Sequence, residues 1–316
     1  MERSRIFIVG SGVVGTATGR GLADAGHQVT FIDISVERLN QLHYWGLDAR
    51  DRLDLSAEPD ALIFLTLPTP HEGRKYDLTA FTAGVSAVGA ALKGAPGRHT
   101  VVVRSTVSPG TTEGLVLPLL EEHSGLKAGE GFNLASNPEF LRAVSAEKDF
   151  AHPWMTVIAS RDAATLRRLV DLLTPFGGEM RTFDNPATAE FIKSAHNIFN
   201  ATKISFWNEM WLVARKMGLD ADGIASTVAK SAEGSINPSY GIRGGAPYGG
   251  MCLPKDTNGF LGFAETIGVE MPLLSAVVEV NERLVATGAQ ELDTRTDGGV
   301  GIAVGGNNEG GGREIG

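Results

Sequence analysis

Arg5-Ile-Phe-Ile-Val-Gly10-Ser-Gly12-Val-Val-Gly15, followed at Val29 by Val-Thr-Phe-Ile-Asp33, is the stretch that decides the fold. Residues 5–10 are a short unbroken apolar run, the pattern of a parallel strand covered on both faces. The glycines open a helical stretch that reaches about Gly26, and the second apolar run ends in an acid. Strand, glycine turn, helix, strand and terminal carboxylate in this order predict a dinucleotide-binding βαβ unit. Gly10 makes the turn, Gly12 lets a pyrophosphate approach the backbone, and Gly15 lets the helix lie close to the strand; Val14 joins them as a cofactor contact. Asp33 is placed to bind ribose hydroxyls and to repel a 2′-phosphate, so NAD is the expected cofactor.

Outward from this unit, buried apolar runs alternate with helical stretches. Ala61–Leu67, Thr100–Arg104 and Phe132–Ala135 read as strands, with amphipathic segments at about 78–93 and 110–123 between them. That rhythm predicts an α/β fold with a doubly wound parallel Rossmann sheet. Ligands in such sheets sit beyond the carboxyl ends of the strands. The rule singles out Pro68-Thr69-Pro70, Ser105-Thr106 and Asn137-Pro-Glu139-Phe-Leu-Arg142. A strand at Met155–Ser160 and a helix at Ala163–Leu173 complete a cofactor domain of residues 1–184.

Asn185-Pro186 opens a long helical pattern free of glycine and proline until Gly218. Ile192, Phe199, Phe206 and Val213 recur every seventh residue as one apolar stripe, while Lys193, Asn197, Asn200 and Asn208 gather to one side of it. Lys193 and Asn197 are four apart, so both heads reach one ligand. Asparagine is a poor mid-helix residue unless it has a specific partner. Residues 220–231 and 258–292 read as further helices, giving a long central helix and an all-helical dimerisation domain over 185–292. The last nineteen residues hold nine glycines, and a flexible tail is expected over 293–316.

Among the 316 residues the net charge is −9, which argues against nucleic acid or an anionic membrane as partner. No signal peptide or membrane span is read, and no metal site is expected. The single cysteine, Cys252, excludes an intramolecular disulfide and fits a reducing cytoplasm. It lies in Pro247-Tyr-Gly-Gly-Met-Cys252-Leu-Pro-Lys-Asp256. Pro254 suits the first turn of a helix, and a thiol at a helix N-terminus beside Lys255 is set up as a nucleophile. A lone cysteine is otherwise an inert small hydrophobe.

Over residues 5–290 the chain resembles the UDP-glucose/GDP-mannose dehydrogenase family. The resemblance rests on Gly10–Gly15 with Asp33, Leu67-Pro-Thr-Pro70, Arg104-Ser-Thr-Val107, Asn137–Arg142, the Lys193…Asn197 helix ending in Asn208-Glu209, and Gly249-Gly-Met-Cys-Leu-Pro-Lys-Asp256. It implies oxidation of the C6 hydroxyl of a nucleotide sugar, of the UDP-glucose to UDP-glucuronate type, by two successive hydride transfers to NAD. Cys252 is then the nucleophile that holds the aldehyde, Lys193 and Asn197 stabilise its oxygen, and Asp256 relays a proton through water. Thr106 and Glu139 line the site. Asp33, Arg38, Thr69, Thr106 and Lys255 contact NAD. The substrate is met by Glu139, Phe140, Leu141, Arg142, Lys193, Asn197, Gly241, Arg243, Gly245 and Gly249, and two chains pair through the central helices.

This sequence departs from the family pattern at four places, one of them the stretch between Asp33 and Ala61, which is shorter than usual. Ala143 stands where a glutamate follows Phe-Leu-Arg, so Asp256 or Glu139 covers thioester hydrolysis or the acyl-enzyme accumulates. Ser235-Ile236-Asn237 replaces an arginine motif, for which Arg243 is a candidate substitute. The family's C-terminal nucleotide-gripping domain is not evident before the glycine-rich tail. Two other readings stay open: a two-electron dehydrogenase of the 3-hydroxyacid or 6-phosphogluconate type, and a silent NAD-binding dimer module.

Overall fold

The computed structural model describes residues 3–287 apart from 243, 246 and 251. The chain forms two compact units, Met1–Asn200 and Ala201–Gly316, divided within its longest helix. The first unit contains strands β1 (Arg5–Val9), β2 (Gln28–Ile32), β3 (Ala49–Arg50), β4 (Leu62–Leu65), the hairpin β5 (His71–Glu72) and β6 (Lys75–Tyr76), β7 (His99–Val103), β8 (Phe132–Ser136), β9 (Met155–Ala159) and β10 (Glu179–Phe183). Its helices are α1 (Val13–Asp24), α2 (Val36–Tyr44), α3 (Thr79–Leu92), α4 (Leu117–Ser124), α5 (Ala146–Ala151) and α6 (Ala163–Leu173), before α7 (Pro186–Lys216) leads on. The second unit adds α8 (Ala221–Ser231), α9 (Glu233–Ile236), α10 (Leu253–Thr266) and α11 (Pro272–Thr287).

The main sheet runs β10-β9-β8-β7-β4-β1-β2-β3. Its central strands β1, β4 and β7 are buried on both faces, and the two-residue period sorts their side chains into two layers. Ile6, Ile8, Phe64 and Val102 pack with Leu22 of α1 and Phe150 of α5. Phe7, Val9, Ile63 and Val101 pack on the other side with Phe81, Val85 and Val88 of α3. Each large side chain fully buried in this way contributes about 1.5–3 kcal/mol. The chain winds outward from β1 through β2 to β3 and then crosses back to β4. The strand order therefore reverses between β1 and β4, where a crevice opens at the strand ends.

The doubly wound sheet is as expected, but it is not parallel throughout. β9 and β10 are parallel to each other, and β9 meets β8 antiparallel through Ser136 and Ala159. Mixed sheets of this kind commonly carry reversed strands at an edge. β10 escaped the sequence reading because Glu179-Met-Arg-Thr-Phe183 is half exposed and polar, as edge strands are. The helical region from 258 onward begins earlier, at Leu253, and is cut in two. Gly268, at φ 72°, ends α10's turn, and Pro272 starts α11. The expected flexible tail, 293–316, lies outside the described residues. No helix among the described residues is long and apolar enough to cross a membrane.

The seven-residue stripe of α7 is only partly covered. Val213 is buried with Ala264 and Met271 in the core of the second unit, whereas Phe199 is 66% and Phe206 38% exposed. Ile204, Trp211 and Leu212, on other faces of the same helix, are exposed as well.

Candidate active site

A cleft of about 780 Å³ opens at the switch point in the first unit, within the ~300–1,000 Å³ range of ligand sites. Gly10, Gly12, Val14, Asp33, Thr69, Thr106 and Glu139 all line it. The three glycines have separate causes. Gly10 takes φ 91°, and a Cβ there would stand 2.7 Å from the Thr66 carbonyl oxygen. A Cβ on Gly15 would meet the Gly10 carbonyl oxygen at 2.1 Å, so this position fixes how closely α1 approaches the turn. A Cβ on Gly12 would meet nothing within 4 Å, which leaves open space before the helix N-terminus where a pyrophosphate fits. The buried Ser11 hydroxyl beside it has no partner among the described residues.

Asp33 receives hydrogen bonds from the Ser11 amide at 2.8 Å and the Ser35 amide at 3.0 Å, one on each oxygen. Each oxygen keeps a lone pair for a ribose hydroxyl. Arg38 does not line the cleft; it braces the loop, donating from Nε to the Ser11 carbonyl at 2.5 Å and from its fork to Thr16 and Gln41. The Thr69 hydroxyl donates to the Thr106 carbonyl at 2.7 Å and ties two strand-end loops together. The turn, the open cradle and the acid fit NAD. Bound there, NAD supplies hydride acceptance.

At the β8 end of this cleft, α7 presents Lys193. Its Nζ lies 3.1 Å from Glu139 Oε1, with only 5% and 11% of the two side chains exposed. The ammonium also stands 5.4 Å from the Phe140 ring centroid, and His196 packs edge-on to that ring at 5.0 Å. Burial and the neighbouring Lys193 push the His196 imidazole below its ordinary pKa, against an opposing pull from Glu139. Glu190, one turn before Lys193, sets the register of α7. Its buried carboxylate accepts from the Gly110 amide at 2.5 Å and from the Thr112 amide and hydroxyl at 2.8 and 2.6 Å. Desolvation raises its pKa despite these donors.

Other expected contacts are arranged differently. Arg142 does not line the cleft; its guanidinium grips Asp149 through bonds of 2.9 and 2.6 Å, and it holds that carboxyl well below the usual range. Leu141 packs against the core beside α5. Asn197 is exposed on α7. Ala143 opens a short turn, Ala143–Ser145, in which Val144 is 96% exposed, so no carboxylate stands there.

The second unit holds the cysteine segment. Cys252 is exposed and occupies the position just before α10, with Pro254 in the first turn as the sequence anticipates. Lys255 pairs with Asp256, both exposed. Asn281 of α11 pins the chain ahead of the cysteine, accepting from the Tyr248 amide at 2.7 Å and donating to its carbonyl at 3.2 Å. Glu209 caps α11 by accepting from the Leu273 and Leu274 amides at 2.5 and 3.1 Å. Gly241 and Gly245 take φ 69° and 91°, and a Cβ at Gly249 would meet nothing within 4 Å. Arg243 lies outside the described residues. Among the described residues no cluster of His, Cys, Asp or Glu is arranged to hold a metal.

Residues 45–177 match the model of the UDP-glucose/GDP-mannose dehydrogenase family NAD binding domain, and 187–283 match its central domain. A GDP-mannose 6-dehydrogenase from Azotobacter vinelandii is 33% identical over 310 residues, covering 92% of this chain and 71% of the relative. The chain belongs to the UDP-glucose/GDP-mannose dehydrogenase family. Its members are NAD-dependent oxidoreductases acting on CH–OH groups. UDP-glucose 6-dehydrogenase AglM from Haloferax volcanii, also in the family, is 33% identical over 303 residues, with 88% of this chain and 69% of that one covered. Among solved structures, a ternary complex of GDP-mannose dehydrogenase from Pseudomonas aeruginosa superposes with a TM-score of 0.83 at 31% identity, over 89% of this chain and 69% of that one.

The sequence reading passed over Arg104, Asp149, Glu190, His196 and Asn281 as site residues. One signal was available: Arg104 ends the buried run Thr100-Val-Val-Val, where a charge is out of place unless it has work there. Glu190 and Asn281 lie in helices and take their partners from distant segments, Gly110–Thr112 and Tyr248.

Proposed function

We propose that this chain is a nucleotide-sugar 6-dehydrogenase, of the UDP-glucose to UDP-glucuronate type, performing two hydride transfers at one site. The observation that carries the reading is the buried Lys193–Glu139 pair at the edge of the NAD cleft, in a chain whose exposed thiol opens a helix. In the first oxidation the C6–H bond breaks, the hydrogen leaves with both electrons for NAD, and the hydroxyl proton passes to solvent. Lys193, a preorganised cation, and Asn197 stabilise the developing oxyanion. The Cys252 sulfur then bonds to the aldehyde carbon, and its proton ends on the hemiacetal oxygen. The second hydride leaves for a second NAD and the hemiacetal proton for solvent, giving a thioester. Water adds, the C–S bond breaks, and carboxylate and free thiol result.

Glu139 is the carboxylate we assign to the hydrolytic water. Position 143 is alanine, and Glu139 lines the cofactor cleft beside Lys193, whereas Asp149 does not line that cleft. The relatives are named for GDP-mannose and UDP-glucose alike, which supports a nucleoside-diphosphate hexose as substrate. Domains of 1–184 for the cofactor and 185–292 for catalysis and pairing accompany this reading. A helix with apolar residues on several faces belongs in an interior, so the exposed Phe199, Ile204, Phe206 and Trp211 support a homodimer built on α7. One free cysteine supports a reducing cytoplasm. A panel of UDP-, TDP- and GDP-hexoses assayed by NADH formation tests the proposal. Activity on one of them is expected, and none with any member would overturn it.

A further inference from the structure

Arg104 follows β7 directly and is 6% exposed. Its Nε donates to the Thr18 hydroxyl at 2.9 Å, and its Nη1 donates to Asn137 Oδ1 at 2.5 Å and, more weakly, to the Asn137 carbonyl at 3.4 Å. The guanidinium carbon lies 5.4 Å from the Phe150 ring centroid. No described residue accepts from Nη2, and no described carboxylate lies within ion-pairing distance. Burial pushes the guanidinium down to about 10, with Glu139 opposing the fall, so it stays cationic at neutral pH.

Arg104 and Glu139 together line the cofactor cleft and a second, small cavity that shares these two residues with it. The other carboxylate of that cavity, Asp149, is already neutralised by Arg142. Arg104 and Lys193 both stand near Glu139, but only Lys193 pairs with it, so the buried charge of Arg104 has no direct ion-pair partner among the described residues. An uncompensated buried charge is costly, and it acts strongly on any like charge brought near it in the same cleft. Asp33 and Arg104 follow strands three places apart in the sheet, about 14 Å at ~4.8 Å per strand. With the adenosine end marked by Asp33, the unpaired charge stands at the nicotinamide end.

We propose that Arg104 is a positioning residue of this site, which fixes the Glu139 loop through Asn137 and whose unpaired charge tilts the cleft toward the reduced cofactor. When the alcohol's C–H bond breaks, its hydrogen and both electrons go to the cofactor and the hydroxyl proton goes to solvent. One positive charge is thereby removed from the nicotinamide end. Protein charge of the same sign favours that removal, and so favours binding of NADH over NAD.

The test is the ratio of the NAD and NADH dissociation constants, titrated separately on the full chain by protein fluorescence. Arg104→Met is expected to lower the preference for NADH about tenfold, the order for one unit charge at about 10 Å with an effective dielectric near 20. Arg104→Lys keeps the charge and loses the fork, so it holds the ratio within about twofold while slowing turnover. Asn137→Asp places a carboxylate on Nη1 and neutralises the charge from the other side; it is expected to shift the ratio as Arg104→Met does. An unchanged ratio in both neutralising variants overturns the proposal, and the Asn137 variant decides the matter if Arg104→Met does not fold. The inference rests on NAD binding alone. A shifted ratio in a chain that oxidises no nucleotide sugar would leave it standing and sink only the substrate reading.

Discussion

In the first unit Lys193 and Glu139 are held by the core beneath them, whereas in the second the thiol segment is held, among the described residues, chiefly by its own helix turn and Asn281. Lys193 and Glu139 are buried, mutually paired and locked from both sides by the Glu190 bonds and the Leu141 amide. Cys252, Lys255 and Asp256 are exposed, and the latter two bond to each other. The contrast implies that the cofactor half is preorganised, while the covalent half is placed by the chain that surrounds it. Damage in the first unit should therefore reach cofactor binding, and damage in the second should remove chemistry and leave cofactor binding intact.

The largest expected effect tests the second half of that statement. Cys252→Ser should lower acid formation by about 10³-fold or more, with NAD affinity within twofold of the parent. Acid formation at the parent rate would end the covalent account. Lys193→Ala should slow turnover by about 10²–10³-fold and, because Glu139 loses its direct ion-pair partner while Arg104 remains nearby, cost about 1–3 kcal/mol of stability. Urea unfolding that matches the parent's would mean the pair is not locked as described.

The two glycines separate cradle from scaffold. Gly15→Ala should destabilise the fold by about 1–3 kcal/mol through overpacking against the Gly10 carbonyl. Gly12→Ala should keep the melting temperature and weaken NAD binding, since its Cβ would enter only the open space before α1. Equal effects of the two on stability would remove the distinction. In the second unit, Asn281→Ala should cost about 1 kcal/mol, the order for a hydrogen-bonded pair, and should leave NAD binding unchanged by calorimetry.

The smallest effect is pH-dependent. Arg142, by hydrogen bonding and then by charge, depresses the Asp149 carboxyl below its unfolded value. Its contribution is therefore full above about pH 4 and lost as pH falls toward the folded value. Asp149→Asn should melt below the parent at pH 7, with the gap closing as the pH drops below about 4. A gap that stays constant with pH would mean that the ion pair does not hold the loop.

The βαβ start, the switch-point loops and the long helix were legible because each is written in local pattern: apolar runs, glycine spacing and helical period. Cys252 before α10 was legible for the same reason, since Pro254 fixes where that helix begins. What was not legible depends on contacts between distant segments. Edge strand β10 is polar and short, so nothing in its sequence distinguishes it from a loop. Glu190 reads as one more helix acid until the Gly110–Thr112 turn arrives to be bonded. Arg142 looks like a free substrate contact until Asp149, seven residues on, takes both arms of its fork.

The central claim is that one site oxidises an alcohol to an acid through Cys252, and the most direct measurement is the yield of NADH per nucleotide sugar consumed. The account predicts two NADH per sugar for the parent chain, with a thioester adduct on Cys252 visible by intact mass when hydrolysis is slow. One NADH per sugar, unchanged in Cys252→Ser, would contradict it.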